Sequence, residues 1–198
     1  MIFERLKSNE EISDTEFDSL YNDDIRETSE IHFTPVEVSI IAAKYLASKN
    51  GTKVLDIGSG AGKFCMIGSV CSEGIFVGVE LRESFHKAAN EISENYQLEN
   101  VEFVLANINT ISFQVYDAFY IFNSFQENIS IPDRINDEIP LNRTFYNTYN
   151  AHVKVQLNNM PSGTRLATYF SYLTEVPESY KLKSTDFDGK LKLWEKVN

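Results

Sequence analysis

Apolar residues fall along the chain in short, near-continuous runs that alternate with amphipathic stretches. Lys53–Ile57, Ile75–Glu80, Val101–Leu105, Ala118–Phe122 and Thr164–Tyr169 are the β-prone runs. Between them, Gly62–Cys71, Glu83–Asn95 and Thr144–Met160 read as helices. Phe85, Ala88, Ala89 and Ile92 share one face of the second, and Phe145, Tyr149, Val153 and Leu157 recur at fours in the third. Strands apolar throughout belong in a parallel sheet covered by helices on both faces, so the pattern predicts an α/β fold. The end departs from this. Ser179–Phe187 and Lys190–Val197 alternate around Asp188-Gly189, which predicts a hairpin that a plain doubly wound fold would lack. Gln126–Asn142 is polar, carries Pro132 and Pro140, and reads as a loop or insertion.

Two capping signatures precede the first strand. Ser13-Asp14-Thr15-Glu16 has the S-x-x-E form of a capping box ahead of Phe17, Leu20 and Tyr21. Thr34-Pro35-Val36-Glu37 places Thr at N-cap, Pro at the first helical position and Glu at N3. The helix that follows carries Val38, Ile41, Ala42, Tyr45 and Leu46 as a stripe and is expected to end at Gly51.

The chain has 198 residues, 42% apolar and 24% charged, enough for one domain with a substantial core. Its formal charge is −11, which argues against the broad phosphate-binding face of a nucleic-acid binder. Residues 1–31 hold ten acids and three bases, so −7 of that charge sits in an N-terminal helical arm. The arm is either a solvated face or a cover over the mouth of a site in residues 32–198. Cys65 and Cys71 share one predicted helix about 9 Å apart along its axis, too far to bridge, and read as small buried hydrophobes. His32, His86 and His152 show no metal-ligand spacing and take surface or packing roles. There is neither a signal-peptide pattern nor an apolar run of the ~18 residues that span a bilayer. The expectation is a soluble, cytoplasmic protein with no metal and no membrane partner.

The chemistry is concentrated in Val54-Leu55-Asp56-Ile57-Gly58-Ser59-Gly60-Ala61-Gly62-Lys63-Phe64, a strand running into three glycines and then a helix. Such a turn lets a ligand approach the backbone, and the helix N-terminus beyond it offers unpaired N–H groups. Lys63 stands where a dinucleotide fingerprint has its third glycine, and Phe64 replaces the Ser or Thr of a P-loop. Asp56 would repel a pyrophosphate but attract a cationic group, so the ligand should carry positive charge near the turn. The next strand ends in Gly78-Val79-Glu80, and a carboxylate there can accept both hydroxyls of a ribose.

On these residues the sequence resembles the class I S-adenosylmethionine-dependent methyltransferases. Residues 54–64 look like the family's glycine-rich motif I, and Glu80 sits where its ribose-binding acid is found. The resemblance implies a Rossmann-like seven-stranded sheet of order 3-2-1-4-5-7-6, with the hairpin as its antiparallel sixth and seventh strands. It implies that S-adenosylmethionine is held by Asp56, Gly58, Ser59, Gly60, Gly62, Glu80 and the adjoining Leu81. Asn107, followed by Ile108, stands where the family often has an Asp bonding the adenine amino group, or is an ordinary turn residue. Thr34-Pro35, twenty residues before motif I, is similar to a Thr-Pro segment that touches the cofactor in many amino-methyltransferases.

The fourth predicted strand ends in Asn123-Ser124-Phe125, where amine-directed members of the family place an Asn or Asp followed by an aromatic. The Pro-Pro of the adenine-directed type is missing. The tripeptide is similar to the Asn-Asn-Phe of the non-SET histone lysine methyltransferases, which share a strand ending in Gly-Val-Glu. Asn123 and Phe125 are accordingly the catalytic candidates: an amide oxygen aligns an amine, and an aromatic face favours the developing ammonium. The alternative is that Asn123 caps a strand and Phe125 is core. Tyr169 either lines the pocket or is core. The resemblance thus implies methyl transfer to an amine of a small molecule or a lysine-bearing protein, the acidic surface steering a cationic acceptor. A nucleic-acid methyltransferase and a non-catalytic cofactor-binding protein remain the other readings.

Overall fold

Strands form where the apolar runs lie: β1 (Lys53–Ile57), β2 (Ile75–Glu80), β3 (Val101–Leu105), β4 (Ala118–Phe122), β5 (Arg165–Tyr169), β6 (Tyr180–Asp186) and β7 (Leu191–Lys196). The computed structural model describes residues 1–130 and 134–198, so Pro132 lies outside the described residues. Among the described residues the strands make one sheet of order β3-β2-β1-β4-β5-β7-β6. The pairings from β3 across to β5 are parallel, and β7 runs antiparallel to both β5 and β6. This is the order the resemblance implied. Chain direction along the sheet reverses between β1 and β4, where α/β sheets leave a crevice beyond the carboxyl ends of the strands.

Eight helices surround the sheet among the described residues: α1 (Ile2–Lys7), α2 (Asp14–Asp18), α3 (Asp23–Arg26), α4 (Ser29–His32), α5 (Val36–Leu46), α6 (Lys63–Cys71), α7 (Glu83–Asn95) and α8 (Arg143–Asn158). Alternation along the strands sorts side chains between two cores. Val54, Ala118, Tyr120 and Ala167 pack with α5 and α6, whereas Leu55, Ile57, Phe119, Ile121 and Leu166 pack with Val153 and Leu157 of α8. Asp56 has the parity of Val54, so a carboxylate enters the α6 side, where the Phe64 ring stacks on Tyr120 at 3.8 Å. The turn between β1 and α6 needs its last glycine. Gly62 has φ +82°, and a Cβ there would sit 2.5 Å from the Phe103 ring and 2.9 Å from Ala89.

The acidic N-terminal segment is not detached from this core. Phe3, Leu6, Phe17, Tyr21 and Ile25 are buried in the same cluster as α5 and α6, while its acids face outward. Ser13 caps α2 as expected, its Oγ accepting from the Glu16 N–H at 3.2 Å. Two acids turn inward instead. Lys63, 3% exposed, places its ammonium 2.7 Å from both Asp14 and Asp18. Tyr21 donates to the Ala61 carbonyl at 3.1 Å, a second tie onto the glycine turn.

Three sequence expectations need correction. The Thr34 capping box does not form: Pro35 is the N-cap residue of α5, and the first free N–H, that of Val36, donates to Asp14 Oδ1 at 2.7 Å. The cap is supplied from α2, because Thr34 is drawn away to the Tyr120 hydroxyl at 3.0 Å. Helix α5 ends at Leu46 rather than Gly51, whose N–H bonds Glu73 beyond α6. Finally, the hairpin loop is four residues, 187–190, with Phe187, Asp188 and Gly189 all at positive φ, rather than a two-residue Asp-Gly turn.

Replacing Asp18 by Ala strips one partner from a buried ammonium and should cost about 3 kcal/mol in denaturant titration; Asp14→Ala, which removes a cap and the more exposed partner, should cost about 1–2 kcal/mol. Gly62→Ala combines left-handed strain with a clash against Phe103 and should cost at least about 3 kcal/mol. Gly51→Ala, at φ +74° with open space around the added Cβ, carries only the strain, about 1–2 kcal/mol.

Candidate functional site

The carboxyl ends of β1, β2 and β4 open on a cavity of about 330 Å³. Its walls include Gly58 and Gly60 of the first turn, Glu80 and Leu81 after β2, Asn107 and Ile108 after β3, and Asn123 and Phe125 after β4. Thus eight of the residues singled out from sequence are brought to one cavity. Ile31 and His32 of α4 also reach its wall, so the acidic segment contributes to the rim.

Glu80 is 7% exposed and its carboxylate is fully oriented by backbone. Oε2 accepts from the Gly60 N–H at 2.9 Å, and Oε1 accepts from those of Leu81 and Arg82 at 2.8 Å each. Burial pushes its pKa up, opposed by these bonds and by the Arg82 charge. Each carboxylate oxygen has two lone-pair sites, so Oε2 keeps one for a ligand hydroxyl. Leu81, with Ala106 and Ile108, adds an apolar wall beside it.

Asp56, Ser59, Gly62 and Thr34 take different places. A narrow crevice adjoining the cavity, sharing Gly58 and Phe122 with it, is lined by Thr34, Asp56, Ser59, Lys63 and Tyr120. Asp56 is 3% exposed, and among the described residues its one side-chain hydrogen-bond partner is the Cys65 thiol, at 3.4 Å from Oδ2. Burial raises its pKa to about 7; the thiol lowers it, and the charge of Glu80 raises it. Lys63 lines the same crevice, but Asp14 and Asp18 hold its ammonium. Ser59 Oγ is buried without a hydrogen bond. Gly62 is outside both spaces and serves packing against Phe103. Gly58 lies against Ser124: a Cβ on it would be 2.7 Å from the Ser124 Cβ, and Ser124 Oγ donates to the Ile57 carbonyl.

The turn after β4 is strained. Asn123 has φ +45° and Phe170, after β5, has +49°; left-handed backbone in such residues costs roughly 1–2 kcal/mol each and clusters at functional sites. No side-chain hydrogen bond of Asn123 is made among the described residues. Phe125 joins both alternatives, for it is buried in the α8 core, 5.2 Å from the Tyr149 ring, and also forms cavity wall. Asn107 acts as the turn residue: its Oδ1 accepts from the Asn109 N–H at 3.0 Å and its Nδ2 donates to the Tyr149 hydroxyl at 3.2 Å. Tyr169 is core, ringed by Phe122 and Phe170.

Sequence reasoning missed a buried ion pair in the cavity wall. Arg82, 3% exposed, donates to Glu127 Oε2 at 2.5 Å and to Asn136 Oδ1 at 3.0 Å, holding both residues beside the turn that carries Glu80. Its one sequence signal was a basic residue two positions after the ribose-type acid. Among the described residues no cluster of His, Cys, Asp and Glu could hold a metal, and no helix is long and apolar enough to cross a membrane.

The family model for the methyltransferase domain matches residues 48–196. Solved structures share the fold at low identity. TrmN from Thermus thermophilus is 16% identical with a TM-score of 0.60 over 87% of this chain and 52% of its own. An RNA methyltransferase from Salinibacter ruber, in complex with S-adenosyl-L-homocysteine, is 14% identical with a TM-score of 0.51 over 81% and 88%. MtNAS, in complex with MTA and tNA, is 11% identical with a TM-score of 0.58 over 99% and 69%. This chain therefore spans about half the length of TrmN. A search of curated proteins found no match. The sheet order, the glycine turn answered by Glu80 and the matched domain agree: the chain belongs to the methyltransferase domain family, in its class I S-adenosylmethionine-dependent group.

Proposed function

We propose that the protein binds S-adenosylmethionine and transfers its methyl group to an amine nitrogen. The observation that carries this reading is the pairing of an uncompensated buried carboxylate, Asp56, with an acceptor already set for sugar hydroxyls, Glu80, on either side of the same glycine turn. A ligand that is cationic at one end and a nucleoside at the other matches both. Ser59 Oγ, buried and unsatisfied, supports a further polar contact, and the bare backbone of Gly58 leaves room for close approach. In this reading Leu81 and Ile108 flank the nucleobase, and Thr34 serves through Tyr120 rather than directly.

When bound, the cofactor supplies a methyl group on a sulfonium sulfur. Asn123 Oδ1 accepts a hydrogen bond from the neutral acceptor amine, whose lone pair is thereby aimed along the line of transfer. Asn123 would hold that nitrogen facing the methyl group, and the surplus proton of the methylated amine would go to solvent. Phe125 and Tyr149 offer aromatic faces to the growing positive charge. No protein nucleophile is needed, since alignment and dryness supply the acceleration. An RNA acceptor is the second reading; it draws on the fold likeness to the Salinibacter ruber enzyme and is opposed by the net charge of −11.

Calorimetric titration with S-adenosylmethionine is the deciding experiment. Binding should be lost in Glu80→Ala and weakened at least about tenfold in Asp56→Asn; no heat with folded wild-type protein would refute the proposal. Asp56 titrates near 7 when free, and a bound cation favours its charged form. Affinity should therefore be full above pH 7 and fall by up to about tenfold per unit below it, a slope Asp56→Asn should abolish. Labelled-methyl transfer compared across amines, peptides and RNA then separates the acceptors. In that assay Asn123→Ala should lose at least about tenfold in kcat with cofactor affinity unchanged, whereas full activity would remove Asn123 from the mechanism.

A further inference from the structure

Beyond Asn123 and Phe125 the main cavity continues into a small crevice between the ends of β4 and β5, and the two spaces share Asn123, Ser124, Phe125 and Tyr172. Its lining includes Glu175, 4% exposed. The other buried carboxylates among the described residues have strong partners or an assigned one. Asp18 faces Lys63, Glu127 faces Arg82, Glu80 holds three backbone N–H groups, and Asp56 is matched above to the cationic end of the cofactor. Among the described residues, the side-chain partners of Glu175 are hydroxyls. Ser171 Oγ donates to Oε1, and Thr174 Oγ1 stands 3.4 Å from Oε2 but also 3.3 Å from Asn150 Oδ1, with a single proton to give. Leaving a carboxylate buried with so little compensation is costly unless a cation arrives.

The size of the space selects the cation. The crevice holds about 10 Å³, room for one water-sized group. A primary ammonium, the most compact organic cation, matches so narrow a space. Tyr146 and Tyr172 supply aromatic walls, suited to the same charge. We infer that Glu175 is a specificity residue: it anchors a second, unreacting primary ammonium of the methyl acceptor, so the substrate class is a small α,ω-diamine rather than a monoamine. This rests on the amine reading above. The nitrogen that reacts is the neutral one at Asn123, and the nitrogen at Glu175 stays protonated throughout.

The test is titration of the full chain, with and without saturating S-adenosylhomocysteine, using diamines of three to five methylenes, butylamine and 4-amino-1-butanol. The best diamine should bind wild type at least tenfold more tightly than butylamine. Glu175→Gln, which keeps the Ser171 contact but removes the charge, should erase that preference and leave S-adenosylhomocysteine affinity unchanged. A diamine that binds no better than butylamine, or a preference that survives Glu175→Gln, overturns the inference. Where that variant does not fold, Glu175→Asp replaces it; the shorter arm withdraws the charge and must weaken diamine binding severalfold, and unchanged affinity overturns the proposal. Failure of wild type to bind S-adenosylhomocysteine refutes the methyltransfer reading instead, since the diamine preference is read without it.

Discussion

The arrangement depends on the Glu80 carboxylate, which ties the turn after β1 to the turn after β2. One oxygen holds Gly60 and the other holds the Leu81 and Arg82 amides, so the two loops are fastened to each other at the cavity. Charge-assisted bonds of this kind are among the stronger ones in proteins. The Arg82 side chain extends the tie to Glu127 and Asn136, and Glu127 stands in the wall of the same cavity. Under the proposed function, ligand recognition would draw on a geometry already set by backbone, with little left to order on binding.

A second consequence concerns charge. Lys63 opens α6 beside Asp56 and is the nearest cation by sequence to the glycine turn. Were its ammonium to neutralise Asp56, the crevice would lose its attraction for a cationic ligand. Asp14 and Asp18 hold that ammonium elsewhere. The acidic N-terminal segment therefore does more than solvate a surface: it caps α5, fastens the start of α6 and keeps a carboxylate available.

Legibility in the sequence followed how local each cause was. Strand limits for β1 to β4 were readable because an apolar run is its own signal, and the glycine turn with Glu80 was readable because strand, turn and acid lie close in the chain. The cap at the start of α5 and the role of Thr34 were not. Asp14 and Tyr120 decide them from 22 and 86 residues away, and no local pattern reports a partner that distant. The same holds for Arg82 with Glu127, 45 residues apart, and for Cys65, whose thiol looked like filling but touches Asp56. Asn107 shows the reverse: its turn-forming habit, visible locally, accounts for the contacts its side chain makes.

The position of β7 has a consequence for how the chain reaches this state. β7 comes last in sequence yet lies inside the sheet, between β5 and β6. Until residues up to about 196 have left the ribosome, β5 presents an unpaired edge and β6 has nowhere to dock. Closure of the sheet therefore waits on its seventh strand, and a chain stalled or cut before it would expose a sticky strand to its neighbours.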